Sequence, residues 1–161
     1  MEKEVMITCT FEDGGTGSLR HTTLDCVLEK DNKILLIKRA AHLSEGGKWG
    51  LPGGYLDRDE VLATGAIREV LEETGYKANN LVAFMINSNP ARPREDRQNV
   101  NVTFIGDVGD KIGEPDHETD EVQWYGIDEL PSEKDLAFDH HMILTKYLEY
   151  RKIKFTLPLI I

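Results

Sequence analysis

Three glutamates crowd one short segment of this chain. In residues 54–76, GYLDRDEVLATGAIREVLEETGY, Glu69, Glu72 and Glu73 stand three and four residues apart. On a helix such spacing brings side chains to one face. At ~100° per residue, Ala63, Ala66, Ile67, Val70 and Leu71 share one arc, and the carboxylates are expected on the opposite arc. Like charges placed this way cost roughly a few tenths of a kcal/mol per pair on an exposed helix. A divalent cation reverses that sign, because hard ions such as Mg2+ or Mn2+ take oxygen ligands and usually hold substrate phosphates as well. A solvated acidic face is the plain alternative. Two neighbours weigh against it. The turn Pro52-Gly53-Gly54 brings backbone carbonyls and amides to the start of the segment, and Arg68 stands directly before Glu69, within reach of Glu60 or of a cluster carboxylate.

The elements that must hold these residues are legible in outline. A helix is expected over residues 59–74, with Asp59 as N-cap, Glu60 in the positive first turn and Gly75 as C-cap. Strands are expected at 3–10, 21–29, 33–38, 81–87, 100–107 and 121–125, where β-branched and apolar residues concentrate. Residues 13–18 and 40–58 read as turn and loop. A helical turn is expected at 127–130, closed by Pro131. A last helix is expected at 139–151, with Met142, Ile143, Tyr147 and Leu148 as its apolar stripe. The apolar tail, 153–161, reads as an extended segment packed on the domain or on a second subunit. Strands interleaved with helices predict an α/β or α+β fold with a mixed sheet, in a single domain spanning residues 1–161.

Composition bounds the partners. With 161 residues, 40% hydrophobic and 30% charged, the chain reads as one soluble globular unit. No apolar run approaches a membrane span, and Met1-Glu2-Lys3-Glu4 predicts no secretion signal. Cys9 and Cys26 form no disulfide framework, which fits a cytoplasmic location. A net charge of −10 disfavours a nucleic-acid polymer but leaves room for a small phosphorylated ligand bound through a metal ion.

Gly54, Glu60, Arg68-Glu69-Val70, Glu72-Glu73 and Gly75 reproduce every fixed position of the Nudix box, G-x5-E-x7-R-E-U-x-E-E-x-G-U, where U is aliphatic. The chain resembles that family, departing only at Tyr76, a packing position. The resemblance implies an α/β/α sandwich around a central mixed β-sheet and a Mg2+-dependent hydrolase (Mn2+ as substitute) that cleaves a nucleoside diphosphate linked to another group. It implies Glu69 and Glu73 as main metal ligands, with Glu72 as a further ligand and the Gly54 carbonyl completing the set. Glu60 and Arg68 are implied as an ion pair anchoring loop to helix. A cation held there polarises phosphorus and lowers the pKa of a water, whose proton a carboxylate must take. In the family that base comes from the box, where Glu72 and Glu73 are candidates, or from a later loop. Here the later candidate is residues 114–121, with Glu118 preferred and Asp116, Asp120 and Glu121 left open.

The run Ser88-Asn89-Pro90-Ala91-Arg92-Pro93-Arg94 resembles the S-x-P-x-R-D-P-R loop of ADP-ribose-directed members, and Leu136-Ala137-Phe138-Asp139-His140 is similar to another segment of that subgroup. The loop departs from the pattern, so the matching arginine stays open among Arg92, Arg94 and Arg97. Arg39 is a further phosphate or loop anchor. Guanidinium forks suit phosphates. Trp49, Tyr55 and Trp124 are candidates for base stacking, more often core residues. His140 and His141 read as packing or surface residues. The expected reaction is ADP-ribose to AMP and ribose 5-phosphate. The alternatives are a nucleoside triphosphate pyrophosphohydrolase of nucleotide-pool sanitation and a non-catalytic ADP-ribose sensor. The expected partner is a small nucleotide-derived substrate, with a homodimer in prospect from the apolar tail.

Overall fold

The computed structural model describes residues 7–94 and 97–161. Strands β1 (Ile7–Thr10) and β2 (Thr16–Leu19) form an antiparallel hairpin apart from the main sheet, across the Gly-rich turn. The part of the first expected strand before Ile7 lies outside the described residues. β3 (Thr22–Lys30) then turns into β4 (Lys33–Arg39) through Asp31 and Asn32. Both turn residues have positive φ, 52° and 56°, as a two-residue hairpin turn matched to strand twist requires.

Two short strands, β5 (Trp49–Gly50) and β6 (Gly53–Tyr55), interrupt the expected loop before helix α1 (Leu62–Thr74). β7 (Tyr76–Asn87), β8 (Val100–Lys111) and β9 (Thr119–Gly126) follow, then helix α2 (His140–Lys152) and β10 (Leu159–Ile160). The sheet runs β10-β7-β8-β3-β4-β5, with β6 on β3 and β9 on β4. Parallel pairs (β10–β7, β3–β8) join antiparallel ones, so the sheet is mixed. β3 and β4 share register only at Glu29–Ile34 and Lys30–Lys33. Beyond that corner they part company, β3 toward β8 and β4 toward β9.

Period-two alternation fills a core on each face of the sheet. Leu24, Cys26, Leu28 and Leu35 pack under Ala66 and Val70 of α1. Val27, Ile34, Leu36, Phe84 and Met85 pack under Ile143, Leu144 and Tyr147 of α2. Each fully buried side chain of this size contributes about 1.5–3 kcal/mol. The result is the expected α/β/α layering, and it grips both ends of the site's framework.

Further details differ from expectation, beside β2 forming within the expected turn, β5 and β6 within the expected loop, and β8 running on to Lys111. Helix α1 starts at Leu62 with Val61 as N-cap and no side-chain capping bond. Asp59 cannot cap, because its φ of 67° is left-handed whereas a cap residue is extended. Glu60 therefore precedes the helix and instead accepts the Asp57 amide at 2.8 Å. The turn expected at 127–130 is a single bond from Glu129 N–H to the Gly126 carbonyl, and the 3-10 helix falls after Pro131, at Glu133–Asp135. β7 begins five residues early because exposed Lys77, Asn79 and Asn80 hide its alternation, although Ala78 is buried. Finally, α2 buries Leu144 and His140 beside Ile143 and Tyr147, leaving Met142 and Leu148 half-buried.

At the other end of α1 the sequence reading holds. Gly75 has φ 76°, and its amide caps the Leu71 carbonyl at 2.8 Å. A Cβ there would collide with the Gly113 carbonyl. The apolar tail packs on the chain itself, with Leu159 and Ile160 pairing in parallel with Met85 and Ile86.

Candidate active site

Where β3 and β4 diverge, a cleft of about 360 Å³ opens. Its walls come from β3 (Thr23, Asp25), the end of β4 (Arg39), β6 (Gly53, Gly54, Tyr55), α1 (Arg68, Glu69, Glu72) and the loop holding Asp116 and Glu118. β6 sets the relation between turn and sheet, pairing Gly53 with Asp25 and Gly54 with Leu24.

Glu73 is not on the outer arc of α1. It is 2% exposed, on the inward face with Ala66 and Val70. At ~100° per residue it falls ~20° from Ala66, so the carboxylate arc and the apolar arc overlap there. Its Oε2 accepts the Gly53 amide at 2.8 Å, tying the glycine turn to the helix. Burial pushes this carboxyl well above its ordinary value, with Glu69 and Glu118 adding to the shift and the Gly53 amide and Arg39 opposing it. Glu69 is also raised, first by burial, then by Glu72 and Glu118, against the pull of Arg68.

Arg68 is the hub of the acidic face. It donates to both oxygens of Glu60 (2.7 and 3.2 Å), to Glu69 at 2.8 Å, to Glu72 at 3.0 Å and to the Tyr55 carbonyl at 3.0 Å. These bonds hold Glu60 below the ordinary carboxylate range and raise Arg68 further. One guanidinium therefore fixes the turn before the helix and two carboxylates on it, leaving excess negative charge around Glu69, Glu72, Glu73 and Glu118.

The acidic loop is drawn against this helix. The Asp116 amide donates to the Glu72 carbonyl at 2.8 Å, the Glu118 amide to Asp116 Oδ1 at 2.9 Å, and the Ala40 amide to the Glu118 carbonyl at 2.9 Å. Asp116 and Glu118 line the cleft, whereas Asp120 and Glu121 lie in β9.

The donor set is oxygen only, which suits a hard divalent cation. Gly54 is part of that fit: a Cβ there would lie 2.5 Å from Glu69 Oε2, so only glycine lets the carboxylate reach the turn. Among the described residues no three His, Cys, Asp or Glu side chains already converge on one point. Glu69 is turned to Arg68 and Glu73 to the Gly53 amide.

The arginines divide. Arg39 lines the cleft, donates to the Ser44 carbonyl at 2.9 Å and lies over the Phe138 ring. Arg92 also lines it but is buried in a bidentate pair with Asp139, both bonds 2.8 Å. Arg94 is turned away, toward the Phe138 carbonyl and Glu45. Arg97 sits over Tyr55, 5.7 Å from the ring centroid. Of the aromatic candidates, Tyr55 alone lines the cleft, backed by His21 at 4.3 Å. Trp49 packs on Tyr125, and Trp124 packs on Tyr76.

Sequence reasoning missed the polar floor. Asp25 is buried and accepts Asn101 Nδ2 at 2.7 Å, and His140 Nε2 faces it at 3.4 Å. Burial alone would raise Asp25, but His140, Arg92 and Asn101 together hold it low. His140 Nδ1 accepts the Leu51 amide at 3.0 Å, which assigns the proton to Nε2. The signal available beforehand was the 136–140 segment, which supplies Phe138, Asp139 and His140 together.

A NUDIX domain model matches residues 19–147. Over 129 residues the chain is 36% identical to the ADP-ribose pyrophosphatase of Methanocaldococcus jannaschii, a match covering 80% of this chain and 73% of that one. Putative 8-oxo-dGTP diphosphatase 3 of Mycobacterium tuberculosis is 32% identical over 99 residues, 60% of this chain and 46% of that one, so the chain spans under half of that relative. A NUDIX hydrolase from Nitrosomonas europaea matches in structure with a TM-score of 0.75 at 27% identity, covering 96% of this chain and 92% of that one.

Proposed function

This chain belongs to the NUDIX family of hydrolases, and from that premise we propose that it hydrolyses ADP-ribose to AMP and ribose 5-phosphate with a divalent cation, Mg2+ or Mn2+. The observation that carries the reading is the crowding of buried Glu73 and half-buried Glu69 with Glu72 and Glu118, with Arg39 and Arg68 as partial counterweights. Such a cluster is stable when a cation completes it. Glu69, Glu72 and Glu73, with the Gly54 carbonyl, are the residues that would hold the ion. When bound, it supplies polarisation of the phosphorus–oxygen bonds and offsets charge on the leaving phosphate.

The protein groups then have separable tasks. Arg68 orients Glu69 and Glu72 through its fork. Arg39 meets the diphosphate from the opposite wall. Glu118, exposed and tethered through Ala40 and Asp116, takes the proton of the attacking water on a carboxylate oxygen. Water adds to one phosphorus, the bridging P–O bond breaks, and the two monophosphates leave. Arg92 supports the site from within, through Asp139.

The substrate assignment draws on the similarity to the ADP-ribose pyrophosphatase of Methanocaldococcus jannaschii and on how much of this chain that match covers. A triphosphate reading draws on the shorter mycobacterial match. A panel of ADP-ribose, other nucleoside diphosphate sugars and (deoxy)nucleoside triphosphates with Mg2+, with products identified, separates them. Release of AMP and ribose 5-phosphate from ADP-ribose is expected. Triphosphate cleavage with ADP-ribose untouched would overturn the assignment. No helix among the described residues is long and apolar enough to cross a membrane. A location in the cytoplasm and a single-domain organisation remain part of this proposal.

A further inference from the structure

Phe138 carries backbone strain in the wall of the cleft. Its φ is 47°, the left-handed region that a bulky side chain enters only when its surroundings force it. Its surroundings do force it. The Ala137 amide donates to the Trp49 carbonyl at 2.8 Å. Asp139 is locked into its buried bidentate pair with Arg92. His140 is held by the Leu51 amide, and Arg94 donates to the carbonyl of Phe138 itself. The residues on both sides are thus fixed in the core, and the half-buried ring between them lines the cleft.

What the ring meets there is Arg39, whose guanidinium carbon lies 5.0 Å from the ring centroid. Arg39 is restrained elsewhere too. Its amide donates to the Lys48 carbonyl at 2.9 Å, its carbonyl accepts the Gly47 amide at 2.8 Å, and its Nε donates to the Ser44 carbonyl at 2.9 Å. The ring lies against the guanidinium and Ser44 fixes its Nε edge. The Nη edge is the one left to a ligand, and it is the edge that forks onto phosphate oxygens.

We propose that Phe138 is a positioning residue, held in a strained conformation so that its ring orients Arg39 to grip the substrate's diphosphate. The proposal rests on the diphosphate-cleaving reading of the cleft but not on which nucleoside the diphosphate carries. A flexible arginine on an open loop would lose rotamer freedom on binding, whereas one held beforehand against a ring has already lost part of it.

The test is a double-mutant cycle on the full chain, read by calorimetric binding of imidodiphosphate with Mg2+, a non-hydrolysable probe. Phe138→Leu keeps an apolar side chain and removes the π face. It should weaken binding about five- to tenfold, as loss of a partly desolvated cation–π contact does. Phe138→Tyr should restore it to within about twofold. In an Arg39→Met background the same Phe138→Leu change should cost nothing further, because its effect runs through Arg39. An equal loss in both backgrounds, no loss in either, or no binding of the probe to the unmodified chain overturns the proposal. Thermal melts of each variant show whether it is folded. If the unmodified chain binds imidodiphosphate yet leaves ADP-ribose intact, the substrate assignment fails and the role of Phe138 stands.

Discussion

Asp139→Leu should be strongly destabilising although it lies outside the acidic face. Asp139 and Arg92 have side chains only 3% exposed, and both bonds of their fork are 2.8 Å. Asp139 also accepts Asn87 Nδ2 at 3.2 Å, where β7 ends. Replacing the carboxylate with a side chain of similar bulk strips a buried guanidinium of its bidentate partner. Breaking a buried pair from one side costs about 3–5 kcal/mol, mostly the penalty of the charge left behind. For a chain of this size each kcal/mol moves the melting temperature by about 2–4 °C, so a fall of about 6–20 °C is expected. Removing both charges is a different experiment. Arg92→Met with Asp139→Leu leaves no guanidinium without its fork partner, but buried Asp25 then loses the Arg92 charge that helps hold it low, so the double variant should recover part of the loss rather than all of it. Urea unfolding at neutral pH, followed by tryptophan fluorescence, measures both variants against the parent. If Asp139→Leu costs less than about 1 kcal/mol, or if the double variant is no more stable than Asp139→Leu alone, the stranded-charge argument is wrong.

Glu73→Gln should lose several orders of magnitude in Mg2+-dependent turnover while stabilising the metal-free protein at neutral pH, as melts in EDTA would show. The pH dependence gives the sign. The native state keeps on Glu73 a proton that the unfolded chain loses near its ordinary value of 4.5. Metal-free stability should therefore fall as pH rises from there through the raised native value, and Glu73→Gln should flatten that slope. Glu118→Gln should lower kcat by about 10²–10⁴ while leaving Mn2+ affinity, read by EPR, near that of the parent; a matching loss of affinity would make Glu118 a ligand instead. Arg68→Lys, which lacks the fork holding Glu60, Glu69 and Glu72, should weaken Mn2+ binding about 10–100-fold, and an unchanged affinity would reduce Arg68 to a loop anchor.

The layers and the acidic helix were legible because they are written locally. Alternation marks β3 and β4, and Gly75 marks the end of α1. The inward turn of Glu73 was hidden because helical geometry places it between the apolar and acidic arcs, and only the Gly53 amide decides which side it takes. The polar floor was hidden for another reason. Leu51 and His140 are 89 positions apart and Arg92 and Asp139 are 47 apart, so nothing in either neighbourhood announces the partner. Arg94 shows the same limit. Its spacing suits a phosphate ligand, but a positive φ of 61° belongs to a chain path that delivers it to the Phe138 carbonyl instead.

Strand β10 has a consequence for the cleft. The Ile161 amide donates to the Ile86 carbonyl, and the backbone oxygen of Ile161 accepts both the amide and the hydroxyl of Ser88, at 2.7 and 3.2 Å. Ser88 opens the segment that leads, through Asn89 and Ala91, to Arg92. Ile161 is therefore a clasp on the loop bordering the cleft, and loosening β10 should loosen that loop with it. Amide exchange at Ser88 and Ile161 should rise and fall together.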